Sequence, residues 1–373
     1  MRALSPVDPY ESARFIGLQY VRHGGHGIAR RRAGRGFIYV APDGRIIRDR
    51  ATLKRIRSLV IPPAWQNVWI CPIPSGHLQA VGRDARGRKQ YRYHPLYRQV
   101  REHTKFERMV PFANLLPIIR KRVSRDLKLP GSPKNKVIAA IVRLLETSCI
   151  RIGNEDYAKE NGSFGLTTLR NKHVRVRGSK ICFHFKGKSG QVHDIQLEDP
   201  KLARIVSKCQ CIPGQELFQY IDAGGETYKI SSEDVNQYLK ETTGEEFTAK
   251  DFRTWVGTME AARLLNQVGP ADSPTAANRN YVQVVKRVAQ KLGNRPATAR
   301  KAYIHPAIFE SYTDGSLFDA MQSRLQGNSA RAARAEELCV VALILMHQEL
   351  GKPPILAQKQ AGAGKSGNGR RAA

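Results

Sequence analysis

Lys136-Val-Ile-Ala-Ala-Ile-Val-Arg-Leu-Leu-Glu-Thr-Ser-Cys149, followed at once by Ile150-Arg-Ile-Gly153, is the stretch on which the reading of the fold turns. Val137, Ile138, Ile141, Val142, Leu144 and Leu145 recur at helical spacing, so one face of a helix is apolar and has to be covered. The same period extends upstream over Arg98 to Phe106 and Leu115 to Leu127. Before about Tyr97 the chain looks β-rich. There, Gly36-Phe-Ile-Tyr-Val40 and Ile46-Ile47 flank Pro42-Asp-Gly44, a turn in which Gly tolerates positive φ, and predict a hairpin. Val68-Trp-Ile-Cys71 and His77-Leu-Gln-Ala-Val81 predict further short strands, and Leu53 to Val60 a short basic helix ended by Ile61-Pro-Pro-Ala-Trp65.

Downstream of the opening stretch, His173-Val-Arg-Val176, Ile181-Cys-Phe-His-Phe185 and Val192 to Leu197 alternate and are bounded by glycine. They predict a three-stranded sheet over about 173–197 with Lys188 at a hairpin tip. Helices resume over Ser232 to Thr242, Ala249 to Val268, Asn278 to Leu292 and Ala332 to Leu350. The expectation is an α+β protein: a β-rich N-terminal domain over residues 1–96, a mostly helical domain over 97–350, and a disordered basic tail over 351–373.

The chain has 373 residues with 62 Lys+Arg against 32 Asp+Glu, a net charge of +30, and 41% hydrophobic residues. The apolar content suits a globular protein. The charge points to a polyanionic partner, because neutralising phosphates releases condensed counterions. Six cysteines show no CxxC pair or zinc-ligand spacing; Cys149, Cys182 and Cys339 lie in apolar runs and read as buried. Neither a signal peptide nor an apolar run near the ~20 residues of a membrane span is seen, so a soluble, cytoplasmic, nucleoid-associated protein is expected. Ala363-Gly-Lys-Ser366 is not a phosphate loop: Lys359 stands where the pattern needs glycine, and no strand precedes it.

Arg83-Asp-Ala-Arg-Gly-Arg-Lys-Gln-Tyr-Arg-Tyr-His94 interleaves five cations with two aromatics. It reads either as a solvated basic loop or as a nucleic-acid surface that pairs phosphates with cations and packs aromatics on sugars or bases.

Four residues carry chemistry: Arg151, Lys188, Arg253 and Tyr303. Two guanidiniums can clamp the non-bridging oxygens of a phosphodiester, an ammonium can protonate a departing alkoxide, and a phenol can attack phosphorus. Taken singly, each has a plainer reading. Arg151 would be a charge at a helix C-terminus, Arg253 a surface cation, Lys188 a solvated turn residue and Tyr303 one of 13 tyrosines. Their order and local contexts together carry the case.

Those contexts resemble the type IB DNA topoisomerases of the compact poxvirus-like and bacterial branch. Similar blocks are Ile61-Pro-Pro-Ala-Trp-Gln-Asn-Val-Trp69, Gly76-His-Leu-Gln-Ala-Val-Gly-Arg-Asp-Ala-Arg-Gly-Arg-Lys-Gln-Tyr91, Gly165-Leu-Thr-Thr-Leu-Arg-Asn-Lys-His173 and the segment ending Ala-Arg-Lys-Ala-Tyr303. The resemblance implies relaxation of supercoiled DNA through a 3′-phosphotyrosyl intermediate, without cofactor, ATP or metal. It also implies a monomer whose two domains form a clamp around double-stranded DNA. By it, Tyr303 is the nucleophile, Arg151 and Arg253 stabilise the transition state, and Lys188 is the general acid. The family's fifth position is usually histidine. Here Asn294 stands there, able to donate a hydrogen bond but not to carry a proton. Arg88, Lys89, Gln90, Tyr91, Tyr93, Tyr157 and Lys250 are the implied DNA contacts, while Asn154 and Asp156 replace basic residues of the viral branch.

Tyrosine recombinases share this chemistry but carry a histidine three residues before the second arginine. Lys250 occupies that position, and the N-terminal part is β-rich instead of helical, so both observations favour the topoisomerase. A non-catalytic nucleic-acid-binding protein would leave the ordered set unexplained.

Overall fold

The computed structural model describes residues 9–24, 26–85, 87–322 and 329–350. Two compact units are present, Met1–Arg108 and Met109–Ala373. The tail expected to be disordered, and the Ala363–Ser366 segment, lie outside the described residues.

In the first unit, helix α1 (Pro9–Phe15) precedes strands β1 (Ile28–Ala33) and β2 (Gly36–Val40), helix α2 (Arg50–Ser58), strands β3 (Gln66–Ile70), β4 (Leu78–Arg83) and β5 (Lys89–Tyr93), and helix α3 (Pro95–Glu107). The strands form one antiparallel sheet in the order β2-β1-β3-β4-β5. Its core is Ile28, Ile56, Val68, Ile70 and Ala80, with Tyr39, Ile47 and Trp65 packed against it. Strand β1 was not expected, since Ile-Ala-Arg-Arg-Arg-Ala lacks clear alternation. Arg30 explains how it is held. Its guanidinium lies over Phe37 and donates to the carbonyls of Ile61, Pro62 and Trp65 at 3.3, 3.1 and 2.6 Å, fastening the Ile61-Pro-Pro-Ala-Trp65 segment to the sheet. The segment read as either a loop or a binding surface contains the edge strand β5.

The second unit opens with helices α4 (Met109–Asp126), α5 (Lys134–Ser148) and α6 (Glu155–Asn161). Strands β6 (Val174–Arg177), β7 (Lys180–Lys186) and β8 (Val192–Glu198) then form the expected three-stranded sheet in sequential order. Helix α7 (Pro200–Gln210) and the hairpin β9 (Gln219–Ile221) with β10 (Thr227–Lys229) follow. The remainder is helical: α8 (Ser232–Thr243), α9 (Ala249–Val268), α10 (Pro274–Leu292), α11 (Pro296–Tyr303), α12 (Pro306–Thr313), α13 (Ser316–Gln322) and α14 (Ser329–Leu350).

All six apolar residues named for α5 are buried, each contributing about 1.5–3 kcal/mol when fully removed from water. Helix α9 is buried around most of its circumference, so it has no single apolar stripe and serves as the central post of the unit. Arg120 of α4 donates to Glu146 of α5 at 2.7 Å and to the buried Glu337 of α14 at 2.5 Å, tying three helices together. Cys149 and Cys339 are buried as expected. Cys182 is only half-buried, because β7 turns it away from the face that buries Ile181 and Phe183. Among the described residues, no helix is long and apolar enough to cross a membrane.

Candidate active site

Helix α9 begins with a capping box in which Thr248 and Asp251 satisfy each other's backbone. One turn on, Arg253 is not the surface cation its sequence context allows but is 3% exposed. Its guanidinium donates to the carbonyl of Cys149 and, at 2.7 Å, to that of Leu292, which fixes the fork between the ends of α5 and α10. Cys149 makes the first contact possible by ending α5 in the left-handed region at φ 58°, a conformation uncommon for a side chain with a Cβ.

Arg151 lies just beyond, in an extended segment clipped to the Gly165-Leu-Thr-Thr168 block. Leu166 N donates to Arg151 O at 2.8 Å and Thr167 N to Ile152 O at 2.7 Å. Gly165 is required there, since a Cβ would stand 2.5 Å from Arg151 O. The Arg151 side chain reaches the Asn294 Oδ1 atom and, at 3.5 Å, Gly293 O. A guanidinium has no acceptor, so the amide oxygen must face it. The Asn294 Nδ2 is thereby left buried without a hydrogen-bond partner among the described residues.

Tyr303 ends α11, with its ring centroid 5.1 Å from the Arg253 guanidinium carbon. Thr258 of α9 donates to Tyr303 O at 3.3 Å and accepts from His305 N at 3.0 Å, which pins the backbone on both sides of Ile304. Gly257 lets this backbone approach: a Cβ there would lie 2.5 Å from Tyr303 O and 3.2 Å from its Cβ. Gly257→Ala is therefore expected to push the Tyr303 backbone away from α9 and to cost about 1–3 kcal/mol of stability, as overpacking does. A wild-type Tm in this variant would contradict the tight fit.

Lys188 sits at the hairpin tip between β7 and β8, as expected. The residue is exposed on area, but its ammonium lies among Arg151, Lys250, Arg253 and Tyr303. Loss of water and the three like charges hold its pKa below the ordinary lysine value. For Tyr303, burial pushes the phenol up, but the charges of Arg253 and Arg151, a hydrogen bond from Arg253 and the charge of Lys250 outweigh it, and the pKa is lowered. Burial and the Arg253 charge also lower Arg151, which a guanidinium tolerates without losing its proton. Among the described residues, no three His, Cys, Asp or Glu side chains are grouped to hold a metal.

All five expected catalytic positions thus converge in the second unit, and Lys250 stands beside them. Tyr157 is exposed on α6, whose N-cap is Asn154, accepting from Tyr157 N at 3.0 Å. In the first unit Lys89, Tyr91 and Tyr93 share the exposed face of β5, and the two tyrosine rings stack at 6.1 Å. Arg88 and Gln90 are engaged by Asp84, at 2.6 and 3.0 Å. Two residues of this neighbourhood had no signal in the sequence: Thr258, in the middle of a helix, and His193, on a strand.

Residues 95–327 match the family model for the catalytic core of eukaryotic DNA topoisomerase I, and residues 36–84 match that for the N-terminal domain of bacterial DNA topoisomerase IB. DNA topoisomerase 1B of Acanthamoeba polyphaga mimivirus is 33% identical over 304 residues, covering 80% of this chain and 90% of the viral one. DNA topoisomerase 1B of vaccinia virus (strain Copenhagen) is 25% identical over 248 residues, covering 65% and 74%. A solved XerH site-specific recombinase aligns over 54% of this chain and 51% of its own, at 14% identity and a TM-score of 0.34.

Proposed function

This chain belongs to the type IB DNA topoisomerases, and on that premise we propose how its own side chains divide the work of breaking and rejoining one DNA strand. Tyr303 Oη attacks a backbone phosphorus, the bond to the 5′ oxygen breaks, and Tyr303 is left esterified to the 3′ phosphate. Arg151 and Arg253 hold the non-bridging oxygens as charge builds on them, a role that planar, permanently charged forks suit. Lys188 gives its proton to the departing 5′ oxygen; its lowered pKa makes it the readier donor. The Asn294 Nδ2, which has no hydrogen-bond partner among the described residues, is the donor for a non-bridging oxygen. This role needs no proton transfer, which is why asparagine suffices there.

The observation that carries this reading is geometric: the Arg253 guanidinium lies 5.1 Å from the Tyr303 ring centroid, and Arg151, held against Asn294, adds its charge to the same phenol. Those guanidiniums serve nucleophile and phosphate alike, making the phenolate easier to form where it is needed. The phosphotyrosyl ester conserves the energy of the broken bond, so rejoining calls for no ATP, and protein cations supply the positive charge. Between the two steps the freed strand swivels and supercoils are lost. The substrate is double-stranded DNA, with each unit offering its own contact surface: Lys89, Tyr91 and Tyr93 in the first, Tyr157 and Lys250 in the second. One chain supplies every reacting group, which supports action as a monomer.

Negatively supercoiled plasmid, incubated with the protein in EDTA and without ATP, is expected to relax stepwise. A well-folded protein that leaves the plasmid supercoiled, or relaxes it only when a divalent metal is added, would overturn the scheme.

A further inference from the structure

We propose that His193 is a positioning residue that acts through Lys188, its imidazole being the spacer that sets the gap between the hairpin carrying Lys188 and the loop carrying Asn294. This rests on the assignment of Lys188 as proton donor. The ring projects from β8 and stacks on Phe185 of β7, centroids 5.0 Å apart and planes within 16°. One edge faces Gly187, where a Cβ would fall 2.6 Å from both Cδ2 and Nε2. The opposite edge faces Gly293, where a Cβ would overlap Cε1 and stand 3.0 Å from Nδ1. Lys188 is the next residue after the first glycine, and Asn294 the next after the second.

The imidazole is thus wedged between two backbones, each one residue from a reacting side chain, at a distance only glycine allows. It makes no hydrogen bond among the described residues, so contact alone places it. Its surroundings also keep it uncharged: burial, then Arg151 from the loop after α5 and Arg253 from α9, push its pKa down to about 4. A neutral ring fills the space between the loops without adding another cation to those already gathered there.

A spacer acting through the general acid has a distinct kinetic signature. A DNA duplex with sulphur in place of the bridging 5′ oxygen at the cleavage site releases a thiolate, which leaves without needing a proton. Single-turnover cleavage of the ordinary and sulphur-bridged duplexes is compared for wild type, Lys188→Ala and His193→Ala, with DNA affinity and melting measured alongside. His193→Ala is expected to slow cleavage of the ordinary duplex by roughly 10- to 100-fold, within the range a misplaced general acid costs, and to come within a few-fold of wild type on the sulphur-bridged one. His193→Phe, which keeps a flat ring of similar reach, is expected to recover most of the ordinary rate.

An equal deficit of His193→Ala on both duplexes, or no deficit, overturns the inference while Lys188→Ala is still rescued by sulphur. Failure of sulphur to rescue Lys188→Ala overturns the assignment of Lys188 and the inference with it. Should His193→Ala fail to fold, Gly187→Ala tests the same point. Its φ of −98° accepts alanine, its Cβ would drive into the ring, and the same selective rescue is expected, its absence counting against the spacer.

Discussion

Tyr303→Phe is expected to abolish DNA relaxation and the covalent protein–DNA adduct while leaving DNA binding intact. The ring is half-buried at the end of α11, with the Arg253 guanidinium 5.1 Å from its centroid. Phenylalanine fills the same space, so a stability change within about 1 kcal/mol is expected, as for a substitution that neither opens a cavity nor strands a charge. The backbone anchor through Thr258 does not involve the phenol and persists. Only the attacking oxygen is lost. Plasmid relaxation and denaturing-gel detection of the adduct read the chemistry, and gel-shift titration reads the binding. Relaxation surviving in this variant would mean that another residue is the nucleophile.

The second large effect separates the two arginines. Arg253→Ala and Arg151→Ala are each expected to slow cleavage by at least about 10²–10³-fold, the usual consequence of deleting one transition-state donor. Their stabilities should differ. Arg253 is 3% exposed and satisfies the carbonyls of Cys149 and Leu292, so its removal leaves two acceptors unpaired where α5 and α10 end. Each unpaired buried acceptor costs on the order of 1–3 kcal/mol, and a fall of several degrees in Tm is expected. Arg151 is half-buried and bonds the Asn294 side-chain oxygen but meets a backbone carbonyl, Gly293 O, only at 3.5 Å, so Arg151→Ala should melt above Arg253→Ala. Arg253→Lys should not restore the rate, because a single ammonium cannot span two carbonyls and a phosphate as a fork does. Wild-type cleavage in either alanine variant would refute the clamp. Equal melting of the two would refute the double role of Arg253.

The parts of the fold visible in sequence were those whose burial imposes a period. The apolar face of α5, the alternation of β7 and β8, and the long run of α9 were all legible, as was the glycine-bounded tip bearing Lys188. Strand β1 was not: three consecutive arginines conceal its pairing, and Arg30 shows why a cation is accepted there, with three carbonyls to bond. Helices α11 and α12, eight residues each, are too short to establish an apolar period, whereas α7 carries one in Leu202, Ile205, Val206 and Cys209. All three also have a local signal, in the Asp199-Pro200, Arg295-Pro296 and His305-Pro306 pairs, where proline fits the first helical turn. The side chains of the site could be named because reactive types stood in a particular order. What holds them could not be: Gly257 against Tyr303 O, Gly165 against Arg151 O, and His193 between Gly187 and Gly293 are contacts between residues distant in the chain. Nothing in local composition marks a glycine whose missing Cβ makes room for another segment.

The most direct test of the central proposal is to find where DNA becomes attached. The protein is incubated in EDTA with a duplex nicked so that the cleaved 5′-hydroxyl strand drifts away and religation fails. The trapped adduct is then digested with trypsin and sequenced by mass spectrometry. The expected result is a single nucleotide-bearing peptide, modified at Tyr303 and joined through the 3′ phosphate of the retained strand. Attachment at another residue, or through a 5′ phosphate, would contradict it.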